Sequence, residues 1–506
     1  MQFGPHNTVI VGTTIDDAVT MDPQVSYEFS GIKALHNIYS NLVTFEGTEP
    51  KPSLAENWKK SDDNKTWTFT LKKGIKFSSG NEVTAEDVIY SFKRAVSIDK
   101  NPAAWLVTDN MGITKENIEQ QVRALDSHTV EIKLTKDFAP GAFLAVMAFP
   151  TTAIVDSKVV KANEQSGDLG AKYLFDHSAG SGPYILEKWE KDVQMVLAPN
   201  PNYNLTKAPA IKRVIFKHVK ENTAQLQQLQ AGDVDIATSL SAEQLKTVKG
   251  SDKYYIHQSP ALSLVYLGMD VKNVPAFAKI EVRQAIKYAI NYDAIVTHLL
   301  QGNGLPTQGV IPKGMYGYLD KTPYKQDFAK AKQLMEKAGY ANGFTVEMLM
   351  TSSTLAGGVN PTDLASLLKE DLAKIGITVN LRQMTSSELY NIYRGQKSQL
   401  VLARWGADYL DPDNFAKPFA NFPSKSLAWR LQWEDPNINA KVQKAGTLPN
   451  GAERQKLYNE LNEQWMAESP FAVLYQPLDS LAVSSKVQNI NNNPIWGIEF
   501  LKVTKK

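Results

Sequence analysis

The chain has no cysteine among its 506 residues. That absence excludes disulfides, thiolate-bound zinc, iron–sulfur clusters and a cysteine nucleophile together. It leaves the compartment open, because a large chain with an ample core does not need cross-links in an oxidising space. Histidine is sparse. The seven (His6, His36, His128, His177, His218, His257 and His298) never fall within one helical turn of each other. HxxH and HExxH spacings are therefore missing, and no metal site is expected. No run approaches the ~20 apolar residues that span a bilayer. Basic and acidic residues nearly cancel, 55 against 53, and the net charge of +2 offers no electrostatic footprint for nucleic acid or an anionic membrane. Phosphate loops of the GxxxxGK[ST] type are absent, and Gly302-Asn303-Gly304 is not continued into a dinucleotide fingerprint. No cofactor is implied. A serine elbow at Ser181 would need glycines where Ala179 and Pro183 stand, and Pro183 opposes the strand-to-helix turn of such an elbow. The opening Met1-Gln2-Phe3-Gly4-Pro5 lacks the basic and apolar regions of a signal peptide. Either the protein is cytoplasmic or a signal has been removed.

What is present points to two or three domains, since 506 residues exceed what one core of about 150 residues serves. Hydrophobic residues at 43% and charged residues at 21% match a globular protein. Thr8-Val9-Ile10-Val11 reads as a buried strand and residues 31–45 as a helix. Trp67 to Leu71 alternates, and with Gly74 and Ser78-Ser79-Gly80 it predicts a hairpin. Thr84 caps a helix whose first turn carries Glu86 and Asp87. Further strands are read at 130–134 and 211–216, and a helix at 221–231. From about Ser259 the texture changes. A strand at 262–269 and a long helix at 282–300 open a second domain. Helices at 328–338 and 364–375 then alternate with strands at 344–350 and 377–381, which predicts a βαβ sheet. The fold class is α/β with mixed sheets.

The run from Trp405 to Phe415 sets an aromatic ring beside carboxylates in a turn. A carboxylate takes charge-assisted hydrogen bonds from an ammonium, and a nearby ring adds cation–π attraction. The same residues also form ordinary turns, since Asp before Pro or Asn bonds its own backbone. Trp58, Trp67 and Trp189 suit a core. Trp105, Trp405, Trp429 and Trp496 lie in polar, loop-like contexts of the kind that line ligand clefts.

Leu54-Ala55-Glu56-Asn57-Trp58, the block Trp67 to Phe77, and Val83-Thr84-Ala85-Glu86-Asp87-Val88 resemble the family 5 extracellular solute-binding proteins. These are the dipeptide- and oligopeptide-binding components of ABC importers. Met21-Asp22-Pro23, Gly182-Pro183-Tyr184, Gly232-Asp233-Val234-Asp235, Val282-Arg283-Gln284-Ala285-Ile286 and Ala331 to Gly339 follow in the family's order, so the resemblance covers essentially the whole chain. It implies a two-lobed periplasmic-binding-protein fold of type II, in the large peptide-binding class, with a hinge. The lobes are expected at 1–260 with 475–506, carrying a small extra subdomain around 46–180, and at 261–474, with crossings near 258–262 and 472–478. The resemblance further implies a monomer in the periplasm that binds a short peptide or amino-acid derivative, delivers it to an inner-membrane permease and catalyses nothing. Asp408, three residues after Trp405, matches the W-x-x-D aspartate that holds a ligand's α-ammonium in peptide-binding relatives. Tyr27, Glu28 and Trp105 fall where relatives touch ligand. Arg394 and Arg404 suit a ligand carboxylate, although the arginine used by some oligopeptide binders is replaced by Leu402. Tyr475, Gln476 and Trp496 complete the expected ligand set. An opine, oligosaccharide or metal chelate is the alternative ligand, and a hydrolase on a similar scaffold is the rival class.

Overall fold

In a computed structural model, residues 7–99 and 101–506 are described; the reading of Met1 to Pro5, and His6, lie outside them. The chain divides into two compact units, one of residues 1–257 and 480–506 and one of residues 258–479.

The first unit is built on the β-branched strand Thr8–Thr13. It pairs in parallel with Arg213–His218, Thr8 opposite Arg213, and with Ile236–Ala237. Antiparallel strands Gln194–Pro199 and Tyr184–Glu190 extend one side, and Ala482 and Val483 close the other against Ala237 and Ile236. Val9, Val11, Tyr184, Leu197 and Phe216 fill the core together with Val483, Val487 and Phe500 from the second chain segment. A separate antiparallel sheet is ordered 55–60, 66–71, 129–133 and 122–126. Its alternation buries Trp67 and Phe69, with Phe143 4.4 Å from the Trp67 ring. The helix Ala85–Ser97 packs beside it. Its start is fixed as the sequence suggests: the Thr84 N–H donates to Asp87 at 2.8 Å, and the other oxygen of Asp87 accepts from Ser157 N–H and Oγ. Asp22 of Met21-Asp22-Pro23 is locked under this helix, accepting from Arg94 at 3.0 Å with both side chains buried.

The second unit holds a mixed sheet in the order 377–384, 344–351, 400–406, 263–269 and the start of Phe471–Ser484. The first three strands are parallel, with Phe344 opposite Ile377 and Met348 opposite Leu400, and the later pairs are antiparallel. Helices Ile280–Ala289, Pro361–Ala373 and Ala452–Glu468 cover it. Tyr266, Phe419, Trp465 and Phe471 form an aromatic cluster with centroids 5.0 to 5.8 Å apart. Arg283 and Lys287, one turn apart, close the end of Ala452–Glu468. Arg283 Nε donates to the Glu468 carbonyl at 2.9 Å, and Lys287 Nζ donates to Met466 and Ser469 at 2.7 and 2.9 Å. The Arg283 cation at that helix end meets its partial negative charge, while burial and the neighbouring Arg283 charge pull the Lys287 ammonium well below the ordinary lysine value.

Three local expectations fail, the last in part, for tertiary reasons. The helix expected over 31–45 is Phe29–Ile38 followed by the strand Val43–Glu46. Gly182 N–H takes the Ile38 carbonyl at 2.9 Å, so the next helical turn loses its acceptor. The helix expected over 282–300 stops at Ala289. Asn291 restarts the chain by capping Ala294 N–H at 2.9 Å, while its own N–H donates to Asp371. The hairpin expected from Trp67 through Gly80 forms only in part: the Ser78-Ser79-Gly80 turn closes one antiparallel bridge between Lys76 and Glu82, while strand Thr66–Leu71 pairs instead with Ala55–Lys60 and Thr129–Lys133.

Candidate functional site

In the second unit, strand Leu400–Gly406 carries Arg404 and Trp405 toward opposite faces, because successive side chains alternate. Arg404 stands opposite Val265, which stands opposite Tyr475. Arg404 and Tyr475 therefore share a face across three strands. Burial pushes the Tyr475 hydroxyl well above the ordinary tyrosine value, against the pull of the Arg404 charge, and the hydroxyl donates to the Ala356 carbonyl at 2.7 Å. Arg404 is exposed. Arg394 is exposed at the end of helix Ser386–Arg394, its guanidinium 5.4 Å from the Tyr390 ring centre.

Trp405 and Asp408 are joined through one residue, Asn414. The Trp405 indole N–H donates to the Asn414 carbonyl at 2.8 Å, and the Asp408 backbone N–H donates to Asn414 Oδ1 at 2.8 Å. Asn414 is buried, whereas Trp405 and Asp408 are half-buried. This turns the run after the strand into a braced loop with a partly exposed ring and carboxylate. The other two acids of the run are placed differently. Asp411 is gripped by the buried Arg454 and accepts from the Asp413 N–H at 2.9 Å. Burial holds the Asp413 carboxyl above its usual range, and the Tyr409 hydroxyl lies against it. The W-x-x-D spacing sets Asp408 apart from Asp411 and Asp413, and their burial and partners separate them further.

Gln476 is fully buried and its amide is saturated. Its NH2 donates to Ala261 and Lys313 carbonyls at 2.8 and 2.9 Å, and its oxygen accepts from Thr307 and the Lys313 N–H. All four valences are consumed inside the second unit, so the side chain acts as a strut.

In the first unit, the Tyr27 ring meets Trp105 edge-on at 6.4 Å and Phe149 at 6.2 Å. Glu28 precedes helix Phe29–Ile38, and its carboxylate accepts the Tyr27 N–H at 3.1 Å. Tyr27, Glu28 and Trp105 are all half-buried, and Phe29 beside them is 69% exposed. Trp496 is apart from this group. It is 1% exposed, stacks on His36 at 4.4 Å and donates its N–H to Glu499 at 3.1 Å, which is a packing role. Sequence reasoning missed Asn414, Phe29 and Phe149; Asn414 lay inside the quoted run and read only as a turn former.

Among the described residues no three His, Cys, Asp or Glu side chains gather as a metal site, and no helix is long and apolar enough to cross a membrane. Two α/β units with mixed sheets and a braced aromatic–carboxylate loop describe a binding scaffold of the type II periplasmic class. The profile of the bacterial extracellular solute-binding proteins, family 5, matches residues 49–425. The chain belongs to this family, whose members are solute-binding proteins. It is 30% identical over 503 residues to the probable D,D-dipeptide-binding periplasmic protein of Escherichia coli K12, covering 97% of this chain and 92% of that one. It is 26% identical to heme-binding protein A of Haemophilus influenzae, covering 96% and 90%. The solved structure of HbpA2 from Haemophilus parasuis has a TM-score of 0.86 at 25% identity, covering 99% of this chain and all of that one.

Proposed function

We propose that this chain is a periplasmic receptor of an ABC importer, one that captures a short peptide or an amine-bearing amino-acid derivative and hands it unchanged to a membrane permease. The Asn414 brace carries the reading: it fixes Asp408 and Trp405 in one loop with the carboxylate partly exposed, which suits an ammonium held by charge and by a ring. Tyr27, Glu28 and Trp105 of the first unit complete the ligand contacts, and Arg404 or Arg394 takes a ligand carboxylate. Gln476 and Trp496 are left out, since their polar groups are already used. The chain crossings at 257/258 and 479/480 serve as the hinge, and the receptor works as a monomer. The dipeptide named for the E. coli relative supports the ligand class.

The test is native mass spectrometry of the freshly purified protein, followed by a thermal-shift panel of dipeptides, D,D-dipeptides, opines, oligosaccharides and haem. Saturation at 100 times Kd adds about 2.7 kcal/mol to stability. Stabilisation by peptides is expected. Stabilisation only by haem or by a sugar overturns the ligand class, and hydrolysed peptide in the mixture overturns the receptor reading.

A further inference from the structure

Within the first unit a cavity of about 450 Å3 lies among the helix Phe29–Ile38, the hairpin from Val43 to Pro52 and the loop around Tyr203. That is the size of a small-molecule pocket. None of the residues assigned to peptide binding lines it.

The wall divides by chemistry. Phe45, Tyr39, Tyr203 and Leu205 offer apolar surface, while Lys51, Lys72 and Lys502 bring three ammonium groups. Among the described residues none of these lysines forms an ion pair. The wall carboxylates do not balance them. Glu46 is exposed. Glu499 already accepts from Asn491 at 2.7 Å and Trp496 at 3.1 Å, with His36 Nε2 at 3.5 Å. Burial pushes the Glu499 carboxyl up, but these three donors outweigh it and hold it below the usual value. His36 thus spends one ring nitrogen on Glu499. The other, Nδ1, is buried with no hydrogen-bond partner. Among the described residues the pocket therefore gathers three unpaired cations with no anion to balance them.

We propose that this cavity is a second binding site, for a small organic anion with a ring or short aliphatic body. The lysines hold the carboxylate or phosphate, and Phe45 and Tyr203 pack the body.

The experiment uses the full chain, isothermal titration and benzoate as probe, with benzyl alcohol as the uncharged control. The probe is expected to bind one-to-one, and added salt weakens it by screening. The uncharged alcohol gives no heat. Lys72→Gln/Lys502→Gln, a change at surface positions, weakens the probe by about tenfold or more. Asp408→Asn leaves it unchanged, and a saturating dipeptide does not displace it. Absence of binding up to about 10 mM, equal binding of the alcohol, or indifference to the lysine changes overturns the proposal. Loss of probe binding in Asp408→Asn, or displacement by dipeptide, assigns the anion to the peptide site and overturns it while leaving the receptor reading intact.

Discussion

Arg454 holds Asp411 with two parallel hydrogen bonds, Nη1 to Oδ2 at 2.8 Å and Nη2 to Oδ1 at 2.9 Å, and neither side chain is more than 2% exposed. Arg454 also donates to the Ala445 carbonyl and to Asn450. One guanidinium therefore ties the loop that carries Asp408 to the start of the helix Ala452–Glu468. Removing it should leave a buried, unpaired carboxylate. Arg454→Met is expected to cost ~3–5 kcal/mol, whereas Arg454→Met/Asp411→Leu recovers most of that loss. Urea denaturation of both variants checks this; equal loss in the two would mean that the pair is not the source.

Asp408 is half-buried and sits outside that buried pair. Asp408→Asn should leave ligand-free stability within ~0.5 kcal/mol while weakening an amine-bearing ligand by more than about tenfold. Titration calorimetry with the ligand recovered from the native protein reads the affinity, and an unchanged Kd would sink the assignment of the ammonium to Asp408.

Trp405→Phe keeps a ring but deletes the donor to the Asn414 carbonyl. Because the same Asn414 positions the Asp408 backbone, the loss should appear as weaker ligand binding, about three- to tenfold, with a modest stability change of ~1 kcal/mol. Stopped-flow dissociation should be faster, since such changes act mainly on the off-rate.

The Glu499 carboxyl lies below its ordinary value of 4.5 in the folded protein. A carboxyl depressed on folding contributes stability that is fully present above 4.5 and is lost as pH falls through the lower folded value. Urea unfolding followed between pH 6 and pH 3 should show this slope in the wild type and a shallower one in Glu499→Gln. Parallel slopes would remove Glu499 as the cause.

Gly343 has φ +70°, and a Cβ there would sit 1.8 Å from the Gly376 carbonyl oxygen. Gly343→Ala must both enter the left-handed region and push two turns apart, and should cost at least ~2 kcal/mol. Thermal unfolding of the variant checks it.

The sequence disclosed what depends on neighbours along the chain. Thr84 and Asp87 sit three residues apart, so the helix start was visible; the alternation of Trp67 to Leu71 announced a strand, though not its partners at 55–60 and 129–133. What failed was set by contacts from afar: Gly182 ending the first helix at Ile38, Asp371 fixing the break at Asn291. The candidate site divides in the same way. Trp405 and Asp408 were legible through their spacing, whereas the inertness of Asp411 depends on Arg454, 43 residues on. Gln476 lay in the right strand, but only its four buried hydrogen bonds reveal a strut.

The core of the first unit draws Leu481, Val483, Val487, Ile498 and Phe500 from the far end of the sequence. A ribosome delivers those residues last. Throughout most of synthesis, the sheet around Thr8–Thr13 is therefore without the strand that pairs with Ile236–Ala237, while residues 258–479, contiguous in sequence, are complete earlier. The first unit is thus a body whose core cannot close until both ends of the sequence are present, whereas the second is self-contained in sequence: removing residues 480–506 strips core side chains from the first unit and takes nothing from the second.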